Sequence, residues 1–80
     1  MTLRLVFLGR LEDAAGGSER VVPLAPTIAG VLDALEPALA EALRDPRVKR
    51  AVNGALLRDG AGPALHDGDE IAFLPPVSGG

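Results

Sequence analysis

Residues Glu70 to Gly80 read EIAFLPPVSGG, an apolar run followed by two prolines and a glycine pair. The apolar run predicts the last strand of the domain, from Glu70 to Leu74. Pro75 and Pro76 have no backbone N–H to donate, so sheet pairing has to stop after Leu74. The residues after them are predicted to project from the domain as a tail.

The first part of the chain predicts a strand, a short helical turn and a second strand. Apolar side chains recur there at a period of two, which places them on one face of a strand: Leu3, Leu5 and Phe7. Leu11 to Ala15 can form one helical turn, which Gly16-Gly17 would end, because glycine takes positive φ values at little cost. A strand from Glu19 to Leu24, with Val22 and Leu24 on one side, completes a hairpin.

A helix is predicted after this hairpin. Thr27 occupies an N-cap position, and apolar residues at helical spacing indicate a buried face between Ile28 and Leu35. Pro37 interrupts this helix and can begin a second short helix to Leu43, with Leu39 and Leu43 facing inward.

A second hairpin is indicated by its turn. Side chains alternate from Val48 to Val52, and Asn53-Gly54 is the dipeptide best suited to the positive φ values of a type I′ turn. A returning strand is expected to reach Leu57. A segment rich in Gly, Asp and Pro, Arg58 to Pro63, then leads to the last strand.

This order of elements predicts an α+β domain of the β-grasp, or ubiquitin-like, type. A hairpin is followed by a helix that crosses it, and the last strand pairs in parallel with the first, which makes the sheet mixed. Residues 1–74 would form this domain and residues 75–80 a flexible C-terminal Gly-Gly tail. A ferredoxin-like arrangement is the alternative, but it needs a substantial helix between Arg58 and Leu65, where Gly and Pro are frequent.

Composition removes most cofactor chemistry. The 80 residues include no cysteine, tryptophan or tyrosine and one histidine, and the 48% that are hydrophobic suffice for one small, aliphatic core. Thiolate nucleophiles, zinc clusters and iron–sulphur sites are therefore unavailable, and we expect this chain to bind no metal or cofactor. The net charge of −3 disfavours nucleic acid, no apolar run is long enough to cross a membrane, and a cytoplasmic location is expected.

Side chains that could catalyse a reaction are sparse. Acidic residues in turns are interpreted as solvated caps, since no buried base is near them: Glu12, Asp13, Asp67, Asp69 and Glu70. His66, in a predicted turn beside Asp67, is interpreted as a surface residue. One basic cluster is interpreted mainly as solvated surface and alternatively as a docking patch for an acidic partner: Arg44, Arg47, Lys49 and Arg50.

The C-terminal glycines suit a different task. Without side chains, Gly79 and Gly80 can enter a channel too narrow for a Cβ atom and present the terminal carboxylate to a partner's active site. The residues from Pro75 to Gly80 would reach about 20 Å when extended at about 3.3 Å each. From these residues alone, a frayed chain end is the other interpretation.

The ending from Leu65 to Gly80 closely resembles that of the MoaD family, the small sulphur-carrier subunit of molybdopterin synthase. Members of this family end in a sequence similar to DGDEVAFxPPVxGG, and residues Asp67 to Gly80 read DGDEIAFLPPVSGG. The segment from Val6 to Asp13 also looks like the family's first strand and turn, and Ala51 to Gly54 looks like its Ala-Val-Asn hairpin. The resemblance covers effectively the full chain.

The resemblance implies a carrier that is not catalytic alone. An E1-like adenylyltransferase, using ATP and Mg²⁺, would convert the Gly80 carboxylate into an acyl adenylate, and a sulphur donor would then leave a thiocarboxylate. The tail would insert into the large subunit of molybdopterin synthase, in a heterotetramer, and donate sulphur to cyclic pyranopterin monophosphate. Its inserting residues before Gly80 would be Pro75, Pro76, Val77, Ser78 and Gly79.

The resemblance also implies a docking surface. Matching the family's strands places Leu8, Leu56 and Leu74 where the carrier shows an apolar patch to its partners. Strand parity agrees, since Leu8 and Leu74 lie opposite the core-facing Phe7 and Phe73. Family members often carry aromatic residues at the first and last of these positions, which leaves partner specificity open. The alternative is that the three leucines complete the core.

Two other functions stay open. A sulphur carrier for thiamin, cysteine or tRNA thiolation would share the fold and the Gly-Gly end, but these relatives usually lack the Phe-Leu-Pro-Pro-Val segment. The alternative from another class is a ubiquitin-like modifier that forms isopeptide bonds with lysines, or a binding module without an activated terminus.

Overall fold

A computed structural model describes residues 1–57, 62 and 64–76. Within these residues, five strands form one sheet: β1 (Thr2–Phe7), β2 (Glu19–Pro23), β3 (Lys49–Val52), β4 (Ala55–Leu56) and β5 (Glu70–Leu74). The same part of the chain contains three helices: α1 (Leu11–Ala15), α2 (Ile28–Asp33) and α3 (Pro37–Arg44).

The sheet is mixed, with β5 at its centre. The strand order is β2-β1-β5-β3-β4. β1 pairs antiparallel with β2 and parallel with β5, where Leu5 lies opposite Ile71, and β3 pairs antiparallel with both β4 and β5. The parallel pairing of first and last strands confirms the β-grasp prediction and excludes the ferredoxin-like alternative.

The core lies on one face of this sheet. Leu3, Leu5 and Phe7 point into it from β1, as their period of two predicts, and Ile71 and Phe73 join them from β5. The rings of Phe7 and Phe73 stack with centroids 5.8 Å apart and planes 12° from parallel. The core is thus mainly aliphatic, and the two core-facing phenylalanines add a stacked pair that the sequence did not predict, because strand pairing brings them together.

The helices cover this face with the apolar sides that their spacing predicts. The Thr27 hydroxyl accepts a hydrogen bond from the Gly30 N–H at 3.1 Å and caps α2, and Pro37 occupies the first turn of α3. The helical side chains that join the core are Leu11 from α1, Ile28, Val31 and Leu32 from α2, and Leu39, Ala40 and Leu43 from α3.

The end of α2 differs from the prediction. The helix stops at Asp33 instead of reaching Leu35, although Leu35 is still buried. The N–H groups of Ala34 and Leu35 bond three residues back, to Val31 and Leu32, which tightens the last turn before Pro37 begins α3. The approaching proline therefore ends α2 without removing its last apolar side chain from the core.

The second hairpin forms at the predicted turn. Asn53 and Gly54 have φ values of 50° and 84°, as a type I′ turn requires. β4 ends at Leu56, one residue before the predicted boundary, although the Leu57 N–H still donates to the Arg50 carbonyl at 2.8 Å. The predicted strands at Val48–Val52 and Glu19–Leu24 are each one residue shorter in the structure. Of the segment from Arg58 to Pro63, only Gly62 lies within the described residues.

Candidate functional site

The predicted docking leucines lie on the face of the sheet that points away from the helices, which we call the open face. The side chain of Leu8 is 41% exposed and that of Leu56 is 59% exposed, whereas Leu74 is half-buried. None of the three belongs to the buried core. The interpretation that they complete the core was therefore wrong, and the predicted outward orientation of Leu8 and Leu74 is confirmed.

Three smaller side chains connect these leucines across the sheet. Ala51 lies opposite both Leu56 and Ala72, and Ala72 lies opposite Val6. Register and strand alternation place six apolar residues side by side on the open face, which we call the leucine patch: Val6, Leu8, Ala51, Leu56, Ala72 and Leu74. The sequence interpretation missed its three small members. Extending strand parity to every position of β1, β3 and β5 would have found them.

Charged side chains border the leucine patch. On one side, Arg4 forms an ion pair with Glu70 at 2.5 Å and approaches Glu19 at 3.7 Å, so this cation is neutralised within the sheet. On the other side, Lys49 lies opposite Leu74 and, in the described part of the chain, has no ion-pair partner. It is the one lysine of the sequence. A partner that docks on the patch would meet an exposed ammonium group beside Leu74.

The base of the tail leaves the sheet directly beside the leucine patch. Pro75 and Pro76 are half-buried, and Pro76 borders a groove of about 330 Å³ whose wall includes Arg10, Leu11 and Arg47. The tail therefore starts from a surface that supports its first two residues. Its remaining residues, Val77, Ser78, Gly79 and Gly80, lie outside the described residues, so their roles stay predictions.

His66 and the acidic turn beside it have a structural role. His66 is 81% exposed, as predicted, and its Nδ1 lies 3.9 Å from the Asp69 carboxylate. That carboxylate accepts hydrogen bonds from the Asn53 amide at 3.0 Å and from the His66 backbone N–H at 2.8 Å. These bonds, the one from Asn53 first, hold the pKa of Asp69 below its usual range. Asp69 is thus engaged as a hydrogen-bond acceptor in a turn, which does not suit a general base.

Asn53 is a residue whose importance the turn prediction only partly anticipated. Besides donating to Asp69, its side-chain oxygen accepts from the Glu70 N–H at 3.0 Å, and its own N–H donates to the Glu70 carbonyl at 2.8 Å. The β3–β4 turn is thereby tied to the first residue of β5. Sequence reasoning could not identify these partners, because they lie far along the chain.

The structure divides the basic cluster between two faces. Lys49 lies on the open face, whereas Arg50 lies opposite Phe73 on the core side and donates to the Leu43 carbonyl at 3.3 Å. Arg44 pairs with Asp33 at 2.5 Å, and Arg47 pairs with Asp45 at 2.9 Å, lowering the pKa of Asp45 to about 2. The four cations therefore do not form the single docking patch that was considered as an alternative.

Neither a metal-binding cluster nor a membrane-spanning helix is evident in the part of the chain that the structure describes. Among residues 1–57, 62 and 64–76, histidine and acidic side chains do not gather in groups of three or more that could hold a metal ion. The helices within the same ranges are too short and too polar to cross a bilayer.

A comparison with protein-family models identifies the family to which this chain belongs. The model of the ThiS family matches residues 5–80, from the first strand through the glycine pair. The chain belongs to the ThiS family. Its members are ubiquitin-like sulphur carriers and modifiers, which agrees with the observed β-grasp fold. A search of curated proteins found no match.

Solved structures similar to this ThiS-family chain include small archaeal modifier proteins and a subunit of molybdopterin-converting factor. Small archaeal modifier protein 1 from Haloferax volcanii is 30% identical over 100% of both chains, with a TM-score of 0.79. The protein of that name from Methanosarcina acetivorans is 29% identical over 99% of this chain and 96% of its own, with a TM-score of 0.82. A chain in the complex of subunits 1 and 2 of molybdopterin-converting factor from Helicobacter pylori 26695 is 27% identical over 100% of both chains, with a TM-score of 0.72.

Proposed function

We propose that this protein carries sulphur on the carboxylate of Gly80 and delivers it to the large subunit of molybdopterin synthase. The observation that supports this most strongly is the point at which the tail begins. Leu74 is the last residue of β5 and belongs to the leucine patch, and the PPVSGG end of the sequence follows it directly. A partner that binds the patch would therefore receive the tail at the edge of the same interface.

The chemistry requires activation by a partner, because a carboxylate is a poor electrophile until one of its oxygens becomes a good leaving group. A Gly80 oxygen would attack the α-phosphorus of ATP, with Mg²⁺ held by an E1-like adenylyltransferase, and pyrophosphate would leave. Sulphide would then attack the carbonyl carbon of the acyl adenylate, forming a C–S bond while the C–O bond to AMP breaks. The product is a thiocarboxylate.

This chain would contribute a docking surface and a substrate arm, while the catalytic groups would lie on its partners. The leucine patch would hold the large subunit, and Gly79-Gly80 would pass through a channel that excludes a Cβ atom. The residues from Pro75 to Gly80 span about 20 Å when extended, enough to reach a site inside the partner. There the sulphur would pass to cyclic pyranopterin monophosphate.

A second candidate function is protein modification. Its support is the similarity to small archaeal modifier protein 1 of two species, at 30% and 29% identity over nearly complete chains. The same acyl adenylate, or a thioester formed from it, would then be attacked by a lysine amine of a target protein and give an isopeptide bond. Sulphur carriage for thiamin, cysteine or tRNA thiolation would use the thiocarboxylate with a different acceptor.

Mass spectrometry separates these functions. The protein would be incubated with the adenylating partner, ATP, Mg²⁺ and sulphide, and a gain of about 16 Da is expected as sulphur replaces oxygen. The sulphurated protein, mixed with the large synthase subunit and cyclic pyranopterin monophosphate, should then yield molybdopterin. Lysine conjugates without molybdopterin would favour the modifier. If neither a mass gain nor conjugates are observed, a binding module is the function that remains.

Changing the length of the tail provides a matched control. Deleting Gly80, or adding one residue after it, should leave the unfolding transition unchanged and abolish sulphur transfer, because a small displacement of the reacting atom is costly. Retained transfer in either variant would contradict the proposal.

A further inference from the structure

The turn after β1 and the first residue of the tail meet at one edge of the sheet. β1 and β5 are parallel neighbours, with Phe7 opposite Phe73, and the Leu8 N–H extends this pairing by donating to the Phe73 carbonyl at 3.1 Å. Parallel strands that are in register end at the same edge. Gly9, which comes after β1, therefore lies against Pro75, which comes after β5.

Gly9 leaves room for the Pro75 ring. A Cβ atom placed on Gly9 would lie 2.9 Å from Pro75 Cγ, closer than a Cβ approaches a neighbouring atom without displacing it. Gly9 also has a φ of +55°, a backbone conformation that disfavours residues with a side chain. Two independent observations thus favour glycine here, and one of them concerns the base of the tail directly.

The backbone around Gly9 is held in place, so a clash would displace the proline. The Leu11 and Glu12 N–H groups donate to the Leu8 and Gly9 carbonyls, each at 3.1 Å, and start α1. Pro75, by contrast, lies just past the end of β5 at Leu74, and it has no backbone N–H through which a hydrogen bond could hold it.

We propose that Gly9 is a positioning residue, which sets the direction of the tail by admitting the Pro75 ring beside the β1–α1 turn. Pro75 and Pro76 would then leave the sheet along the groove lined by Arg10 and Leu11. A shift at this base is amplified along an arm of about 20 Å. The expected effect of Gly9 on adenylation rests on the proposed function, whereas its effect on the direction of the tail does not depend on that function.

Three variants test this inference. Gly9→Ala introduces both the clash and the positive-φ strain. Gly68→Ala is the matched control, because Gly68 has a φ of +85°, no atom within 4 Å of its added Cβ, and a place beside Thr2 at the start of β1. Pro75→Ala removes the contact from the other side without backbone strain, so it tests the inference even if Gly9→Ala fails to fold.

The first measurement needs no partner. The sequence contains no cysteine, so Ser78→Cys gives a single attachment site for a spin label, whose effect on backbone amide signals reports where the tail lies. Gly9→Ala and Pro75→Ala should each change the set of broadened amides, while Gly68→Ala should match the unsubstituted chain. An unchanged pattern in Gly9→Ala and Pro75→Ala, or the same change in Gly68→Ala, would overturn the inference.

The second measurement is adenylation kinetics on unlabelled protein. Gly9→Ala should lower kcat about 10- to 100-fold with KM little changed, since the leucine patch is intact and only the reacting end is misplaced. A rise in KM alone would indicate a docking effect and contradict the positioning role. If the unsubstituted protein is not adenylated at all, the proposed function fails, while the spin-label comparison still decides the direction of the tail.

Discussion

Phe73 and Leu74 are adjacent in β5, yet their side chains meet opposite surroundings. Phe73 is fully buried and stacks on Phe7, whereas Leu74 lies half-buried on the open face, opposite Lys49. Along β5, one side chain thus stabilises the core and the next belongs to the proposed docking surface, because successive side chains point to opposite faces. Substitutions on the core face should unfold the domain, and those on the open face should leave it folded but unable to bind.

The largest expected effect is on the core face. Phe73→Ala should lower the free energy of unfolding by about 3 to 5 kcal/mol, through lost burial and the cavity left beside Phe7. A domain of this size has about 4 to 12 kcal/mol in total, so much of the population would unfold. Urea unfolding followed by circular dichroism measures this. Leu74→Ala is the matched control and should cost distinctly less, so equal losses would contradict the division between the faces.

The open face should show the reverse pattern. Leu74→Glu should remain folded but weaken binding to the large synthase subunit about 30- to 1000-fold, because a carboxylate would replace an apolar side chain of the leucine patch and would be desolvated against the partner. Titration calorimetry measures the affinity. Val21→Glu is the control, since Val21 is 67% exposed on β2 and lies outside the leucine patch. Unfolding of Leu74→Glu would show that the patch supports the core.

An intermediate effect is expected at Asn53, whose side chain ties the β3–β4 turn to the start of β5. Asn53→Ala should cost about 1 to 3 kcal/mol, because the Glu70 N–H and the Asp69 carboxylate each lose a partner. Asn53→Gly removes the same bonds but suits the positive φ, so the difference between the variants isolates the backbone strain. Urea unfolding of both would show this, and a loss confined to the alanine variant would mean that the side-chain bonds contribute little.

The smallest expected effect is a decline of stability in acid, caused by two carboxylates that lie outside the core and the leucine patch. The N–H groups of Arg47 hold the pKa of Asp45 at about 2 instead of 3.8, and Asn53 and His66 lower that of Asp69. Since both folded-state values are lowered, the unfolded chain binds protons more readily, and stability should fall as pH drops from about 4 towards 2. Above about pH 5 it should be flat. Denaturant midpoints across this range measure the decline, which Asp45→Asn should reduce without changing neutral-pH docking.

The sequence was most informative where local rules act alone. The period of two in β1, the Thr27 cap, the Asn53-Gly54 turn and the two prolines after Leu74 each depend on a few neighbouring residues, and the structure has each as predicted. Parity also placed Leu8 and Leu74 on the correct face. Boundaries were less accurate, as at the end of α2, because hydrogen bonding in the last turn of a helix also depends on the next element of the chain.

The features that sequence reasoning missed depend on the register between distant strands. The stacking of Phe7 on Phe73 and the contact of Gly9 with Pro75 arise only once β1 and β5 are aligned. The neighbours of Val6, Ala51 and Ala72 across the patch also depend on register, although strand parity alone assigns these three residues to the open face. The basic cluster shows that residues close together in sequence can also be separated in the fold. Lys49 and Arg50 are adjacent in sequence, but alternation along β3 sends them to different faces.

The parallel pairing of β1 with β5 also has a mechanical consequence. The two strands are adjacent at the centre of the sheet and run in the same direction. The start of β1 and the end of β5 therefore lie at opposite ends of the paired strands. A force that pulls these two points apart is directed along the strands. It loads the hydrogen bonds between them in shear, all at the same time, whereas the same force across the β1–β2 hairpin would open its bonds one after another.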